Sequence, residues 1–236
     1  MDHHVKDFYR QSSDGSHKGC YYKVIALHHA PEITWDAIHK QVPALPRGWF
    51  ELAQLIEKDR IEFSREFWIA KMPYHPNLQE FLIKFFDALD DIGVFIVQQK
   101  FDDPFEVHLV YSLKKNVGFF RGYPPASESN IVSLQESFSN VIFPQDYLAF
   151  LQIHNGFSKT TDCTGITRSE AMTENYKRFQ DMLRQLETPV TTSSGQSVNP
   201  KALIPFYESF GMPFYQCFWS EWYPQDEMGN VYFSGT

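Results

Sequence analysis

An α+β fold is what this 236-residue sequence predicts, and three observations carry that prediction. Apolar spacing runs as helices, then strands, then helices, then strands, which fits segregated elements better than a regular β-α alternation. The chain is 43% hydrophobic and 17% aromatic, and buried aromatics remove much apolar surface from water, so a sizeable core can form. Pro124-Pro125-Ala126-Ser127-Glu128-Ser129 is the best internal boundary. The expected organisation is a mobile lead-in over residues 1–19, an α+β half over 20–125, and a domain over 126–236; the boundary is short, so it can equally join two halves of one domain.

Residues 1–19 are polar around Gln11-Ser12-Ser13-Asp14-Gly15-Ser16. Thr34 can cap a helix over Trp35 to Gln41, and Glu51 to Lys58 and Ile61 to Ala70 read as helical, with Phe63, Phe67 and Trp68 on one side. Asn77 precedes Glu80 by three, which predicts a capping box for a helix whose stripe is Leu78, Phe81, Leu82, Phe85, Leu89 and Ile92, ending at Gly93. Val94 to Val97 is a continuous apolar run suited to a buried strand. Phe105, Val107, Leu109, Tyr111 and Leu113 alternate beyond the turn signal Asp102-Asp103-Pro104, so the two runs should pair as an antiparallel hairpin. Phe119-Phe120 can add a short third strand.

In the second half a helix is expected from about Ile131 to Ser139. Phe143 to Gly156 then reads as a helix with written start and stop signals. Pro144 suits the first helical position, Asp146 complements the positive helix end, and Asn155-Gly156 supplies a left-handed stop. Tyr147, Phe150 and Leu151 share one face. Arg168 to Glu187 is amphipathic through Met172, Tyr176, Phe179, Leu183 and Leu186, with Glu174 and Arg178 as i, i+4 partners. Thr188 to Pro200 is a loop. Ala202 to Phe206, Tyr215 to Trp219 and Val231 to Phe233 are β-prone.

The formal charge of −8 disfavours sequence-independent nucleic-acid binding, and the mid-chain pair Lys114-Lys115 reads as a turn. An acidic balance suits a basic protein partner and equally suits plain solubility. Cys20, Cys163 and Cys217 are scattered and odd in number, which argues against a disulfide framework. Residues 1–6 lack the apolar run of a signal peptide, and no stretch approaches a membrane span, so the expected location is cytoplasmic without membrane contact.

No nucleophile elbow, phosphate loop, dinucleotide fingerprint or zinc-protease motif occurs, so no catalytic residue and no cofactor is assigned. Cys163 has no activating neighbour in sequence. His28, His29, Asp36 and His39 are the right residue types for a metal-dependent hydrolase. Against this, adjacent side chains diverge, and on a helix only Asp36 and His39 share a face; the simpler reading is surface or capping histidines, and no metal residue is assigned. His154 suits hydrogen bonding or the negative end of the helix. Trp219, Glu221, Trp222, Tyr223, Asp226 and Glu227 combine interface aromatics with carboxylates and form the candidate protein-binding patch. The competing reading packs Trp219 and Trp222 into the fold and leaves the acids as a solvated turn, which is the preferred one.

The segment Phe143 to Gly156 resembles the hallmark of the SUKH superfamily, which shows Leu-Pro, an acidic residue and Tyr, an apolar helix and a closing Asn-Gly. Leu203-Ile204-Pro205-Phe206 is similar to the family's strand after its variable middle. Glu227-Met228-Gly229-Asn230-Val231-Tyr232-Phe233 resembles its late acidic-Gly-Asn turn into a strand. Phe143 stands where Leu is usual, and Asp162 to Asn199 is a longer middle than usual, a helical insertion at about 162–199. The resemblance covers about residues 130–236. It implies a mixed, mainly antiparallel sheet flanked by helices, no catalysis, and a protein-binding role. Many bacterial members neutralise toxins, and fungal ones regulate cell-wall synthesis. The signature residues Pro144, Tyr147, Phe150, Leu151, Asn155, Gly156, Gly229 and Asn230 are structural, so they do not name the binding surface. The expected function is a non-enzymatic protein-binding module of immunity or regulatory type, with a basic, toxin-like partner. An oligomeric structural protein is the further alternative.

Overall fold

A computed structural model describes residues 1–11, 21–209 and 212–234. They form an α+β fold, and each pairing between its strands is antiparallel. Two compact units divide the chain between Pro125 and Ala126, with Phe157–Thr161 returning to the first.

The first unit contains α1 (His3–Phe8), β1 (Lys23–Ala26), α2 (Trp35–Gln41), α3 (Arg47–Ala53), α4 (Glu57–Lys71) and α5 (Pro76–Asp87). It continues with β2 (Leu89–Gln98), β3 (Glu106–Leu113), β4 (Phe119–Gly122) and β5 (Phe157–Lys159). β2 and β3 make the expected hairpin, and β4 joins β3. The lead-in expected to be mobile packs over its first part: Val5 and Tyr9 are buried against Phe95, Val97, Val110 and Phe119. Residues 12–20, Cys20 among them, lie outside the described residues.

Several local expectations are corrected. α5 starts at Pro76 with His75 before it and no side-chain cap, so the Asn77 capping box does not form. The helix ends at Asp87, and Leu89, Ile92 and Gly93 belong to β2. Gly93 is internal to the strand, and the His28 imidazole and the Met1 side chain occupy the place of its missing side chain; a Cβ there would stand 2.7 Å from His28 Cε1 and from Met1 Cε. α4 does not bury Phe63, which is 52% exposed. It buries Arg60, Ser64 and Trp68, at spacings of four. Arg60 reaches Asp91 at 2.6 Å, both side chains being almost wholly buried. Asp91 stands opposite Ser112 in the ladder, directly after an irregularity in the β2–β3 register between Leu89 and Asp91. Trp68 donates its indole N–H to the Tyr111 hydroxyl at 3.0 Å, within a ring cluster of Phe85, Phe86 and Phe157.

The second unit contains α6 (Glu128–Ser137), α7 (Gln145–Leu151), β6 (Thr164–Ile166), α8 (Met172–Arg184), β7 (Leu203–Ser209), β8 (Phe214–Trp219) and β9 (Asn230–Phe233). The capping box is found on α6, where the Ser127 and Asn130 side chains each accept the other's backbone N–H. β7, β8 and β9 form a meander, and Pro205 sits beside a bulge where a missing N–H is tolerated. Phe143, Tyr147, Leu151, Met172, Ile204 and Phe218 share a core. α8 lays Phe179 and Leu183 on Leu203 and Cys217. Arg178 does not use Glu174 but reaches Glu208 of β7 at 2.5 Å.

Candidate functional site

The signature helix α7 is shorter than its punctuation suggests. Pro144 is the extended residue before the helix rather than its first member, and Gln152 closes it in right-handed conformation. Asn155 and Gly156 therefore do not stop α7. They build the turn that follows, and Gly156 carries φ of +98° there, a conformation open to glycine. Asn155 is buried; its amide donates to Glu170 Oε2 at 2.6 Å, and its carbonyl accepts the Ser169 N–H at 2.8 Å. Burial pushes the Glu170 carboxyl up, but the bonds from its own backbone N–H and the Asn155 amide, with Arg168 nearby and the Ser169 hydroxyl, outweigh it and hold the group below its ordinary range. Tyr147, Phe150 and Leu151 are buried, and so is His154, which lies beyond the helix end. Burial pushes the Tyr147 phenol up.

The late signature pair leads to the candidate surface. Gly229 is buried beneath the Trp222 indole; a Cβ would stand 2.2 Å from that ring, so only glycine lets the ring lie there. Backbone bonds close the loop between β8 and β9: Trp219 N–H to Gly229 at 2.9 Å, Gly229 N–H to Trp222 at 2.8 Å, and Trp222 N–H to Trp219 at 3.0 Å. This loop holds out one face of Trp222, 41% exposed, and Tyr223, 44% exposed. Glu221, Asp226 and Glu227 are exposed beside them, Glu221 accepting from the Asn199 amide at 2.7 Å. Asn230 is exposed at the start of β9. Trp219 is half-buried, 5.7 Å from Trp222 between ring centres. The packed reading thus describes Trp219 better, and the exposed reading Trp222 and Tyr223.

A groove of about 510 Å³ opens at this place. Val190, Thr192 and Val198 of the α8–β7 loop face Trp219, Trp222 and Tyr232 across it. The Trp219 indole N–H is out of water and meets no acceptor among the described residues. β9 pairs with β8 and is the last strand of its meander. The loop wall could not be read from sequence, because its contacts are made across the fold.

The four proposed metal residues do not assemble. His28 and His29 lie on a short 3-10 turn after β1, whereas Asp36 and His39 lie on α2. Burial beside His29 lowers the His28 pKa to about 4, and its Nδ1–H donates to the Val94 carbonyl at 3.3 Å. His39 stacks on Trp35, ring centres 4.4 Å apart. Among the described residues, three potential ligands converge elsewhere, at Asp2, His3 and His4. Cys163 is exposed on a left-handed residue, and Cys217 is buried with its thiol pushed up by that burial.

The second unit is thus a helix-flanked antiparallel meander with an aromatic, acid-rimmed loop. Residues 125–235 match the model of the SMI1 / KNR4 family (SUKH-1), so the C-terminal half is a domain of the SUKH superfamily. No curated protein matches the chain. Among the described residues no helix is long and apolar enough to cross a membrane.

Proposed function

We propose that this chain is a non-enzymatic protein-binding module, of the immunity or regulatory type its SUKH domain suggests, acting in the cytoplasm. The observation that carries the reading is the family match over residues 125–235. Its binding surface is the loop Trp219–Glu227 with the adjoining groove. Trp222 and Tyr223 supply aromatic anchors, and Glu221, Asp226 and Glu227 supply the charge. The net charge of −8 suits a basic, toxin-like partner and speeds its association.

Pull-down from the source cell at low salt and at about 0.5 M salt tests this, since surface charges are screened at the higher strength. A specific partner is expected at low salt, reduced at high salt and lost with Trp222→Ala combined with Glu227→Lys. Recovery of nothing at low salt overturns the reading; equal capture by the variant moves the surface elsewhere. One observation favours a second reading, an oligomeric structural protein: Phe63, Phe67 and Phe81 of α4 and α5 are exposed. Elution from a sizing column that shifts with protein concentration would favour it.

A further inference from the structure

We infer that Asp2, His3 and His4 form a binding site for a divalent transition ion of the zinc class. Asp2 Oδ1 stands 2.8 Å from His4 Nδ1 and 3.5 Å from His3 Nδ1. Zinc bonds of about 2.0–2.1 Å in a tetrahedron separate their donors by about 3.3 Å, so these two spacings bracket what the ion requires. The potential ligand atoms of the three residues lie within 4.8 Å of one another. Imidazole nitrogen with a carboxylate oxygen is a donor set that suits zinc and excludes no open fourth position.

The carboxylate is built into the fold independently of the imidazoles. Its side chain is fully buried. Gly118 N–H donates to Oδ2 at 2.8 Å, and the Asp2 backbone N–H donates to Ser112 Oγ at 2.6 Å, tying it to β3 and the turn after it. Gly118 cannot be replaced there, since its φ is +106° and a Cβ would stand 2.4 Å from Thr161 Oγ1. Such outer bonds are those that orient a ligating carboxylate. His3 and His4, in contrast, are 57% and 41% exposed, so an ion can enter from solvent. Among the described residues, the ionisable side chains within bonding reach of the Asp2 carboxylate are these two imidazoles. The site clips α1 to the β3–β4 turn, and the fourth position is left for water.

The test is titration of tag-free, chelator-treated full-length protein with ZnCl₂ by calorimetry, with CoCl₂ absorption as a geometry probe. One Zn²⁺ per chain is expected, with the intense visible bands of four-coordinate Co²⁺. His4→Ala should weaken binding about tenfold or more, and His3→Ala/His4→Ala should abolish it with an unchanged melting temperature in chelator. Those exposed positions test the site without touching the helix cap that Asp2→Ala would remove. Absence of saturable binding up to about 100 μM Zn²⁺, a Kd weaker than which is no site, overturns the inference. So does equal binding by the double variant, which would put the ion elsewhere.

Discussion

The first unit buries an ion pair between a helix and a strand, Arg60 with Asp91, whereas the second buries an amide at a turn, Asn155. The difference lies in how each buried polar group is satisfied. Arg60 also donates to the Leu55 carbonyl, and Asp91 also accepts the Ile92 N–H, so helix α4 and strand β2 are joined by charge. In the second unit the elements are joined by Phe143, Tyr147, Leu151 and Phe218, and Asn155 ties the turn after α7 to Ser169 and Glu170 ahead of α8 through uncharged amide bonds. One unit should therefore fail through an uncompensated charge, the other through lost turn geometry.

Arg60→Ala is the hardest test of that contrast. It leaves the Asp91 carboxylate buried without its cation, and the expected loss is about 3–5 kcal/mol. Urea unfolding measures it. Arg60→Leu with Asp91→Leu should recover a large part, because neither charge then remains. A loss under about 1 kcal/mol for the single variant would mean that the pair is open to water.

His28 sharpens the contrast through pH. Its pKa is about 4 in the fold and about 6.5 in the unfolded chain, so the unfolded state binds more protons between those values. Stability from this group is complete above about pH 6.5 and is lost as pH falls toward 4, by up to about 3 kcal/mol. Wild type and His28→Gln compared by urea unfolding at pH 7.5 and 4.5 should show a steeper acid loss in wild type. Parallel curves would remove His28 from the account.

Asn155→Ala tests the other unit. It strips an acceptor from the buried Ser169 N–H and a donor from Glu170, and should cost about 1–3 kcal/mol. Gly229→Ala should cost about 1–3 kcal/mol by overpacking against Trp222 and should redshift tryptophan fluorescence as that ring is displaced. A neutral Gly229→Ala with unchanged emission would mean that Trp222 does not lie on the glycine.

The same contrast explains what could be read in advance. The second unit was legible because its core is apolar and follows helical and strand periods: Met172, Phe179 and Leu183 were placed on the buried face of α8 by spacing alone. The first unit was less so. Its α4 buries Arg60 and Ser64 together with Trp68 while Phe63 stays exposed, so hydrophobic spacing found Trp68 and missed the polar members of the buried face. Site residues divided likewise. The role of Gly229 needed the position of Trp222, and the groove wall needed the fold of the α8–β7 loop. Asp2, His3 and His4 are contiguous, but their grouping depends on how Gly118 and Ser112 fix the carboxylate.

The smallest expected effect separates a helix-surface pairing from a tertiary one. Spacing alone pairs Arg178 with Glu174 on α8, where such a bond contributes about 0.2–0.5 kcal/mol. In the fold Arg178 turns to Glu208, whose side chain is only 7% exposed while that of Arg178 is 55% exposed. Glu174→Ala should then lie within about 0.5 kcal/mol of wild type. A double-mutant cycle on Arg178→Ala and Glu208→Gln should give a coupling of about 1 kcal/mol, the upper part of the range for exposed pairs because one partner is shielded. Coupling of Arg178 to Glu174 instead would restore the local pairing and detach α8 from β7 at that point. The result decides whether the second unit also joins helix to strand by charge, as the first does with Arg60 and Asp91, but at a solvent-facing edge where the charge matters less.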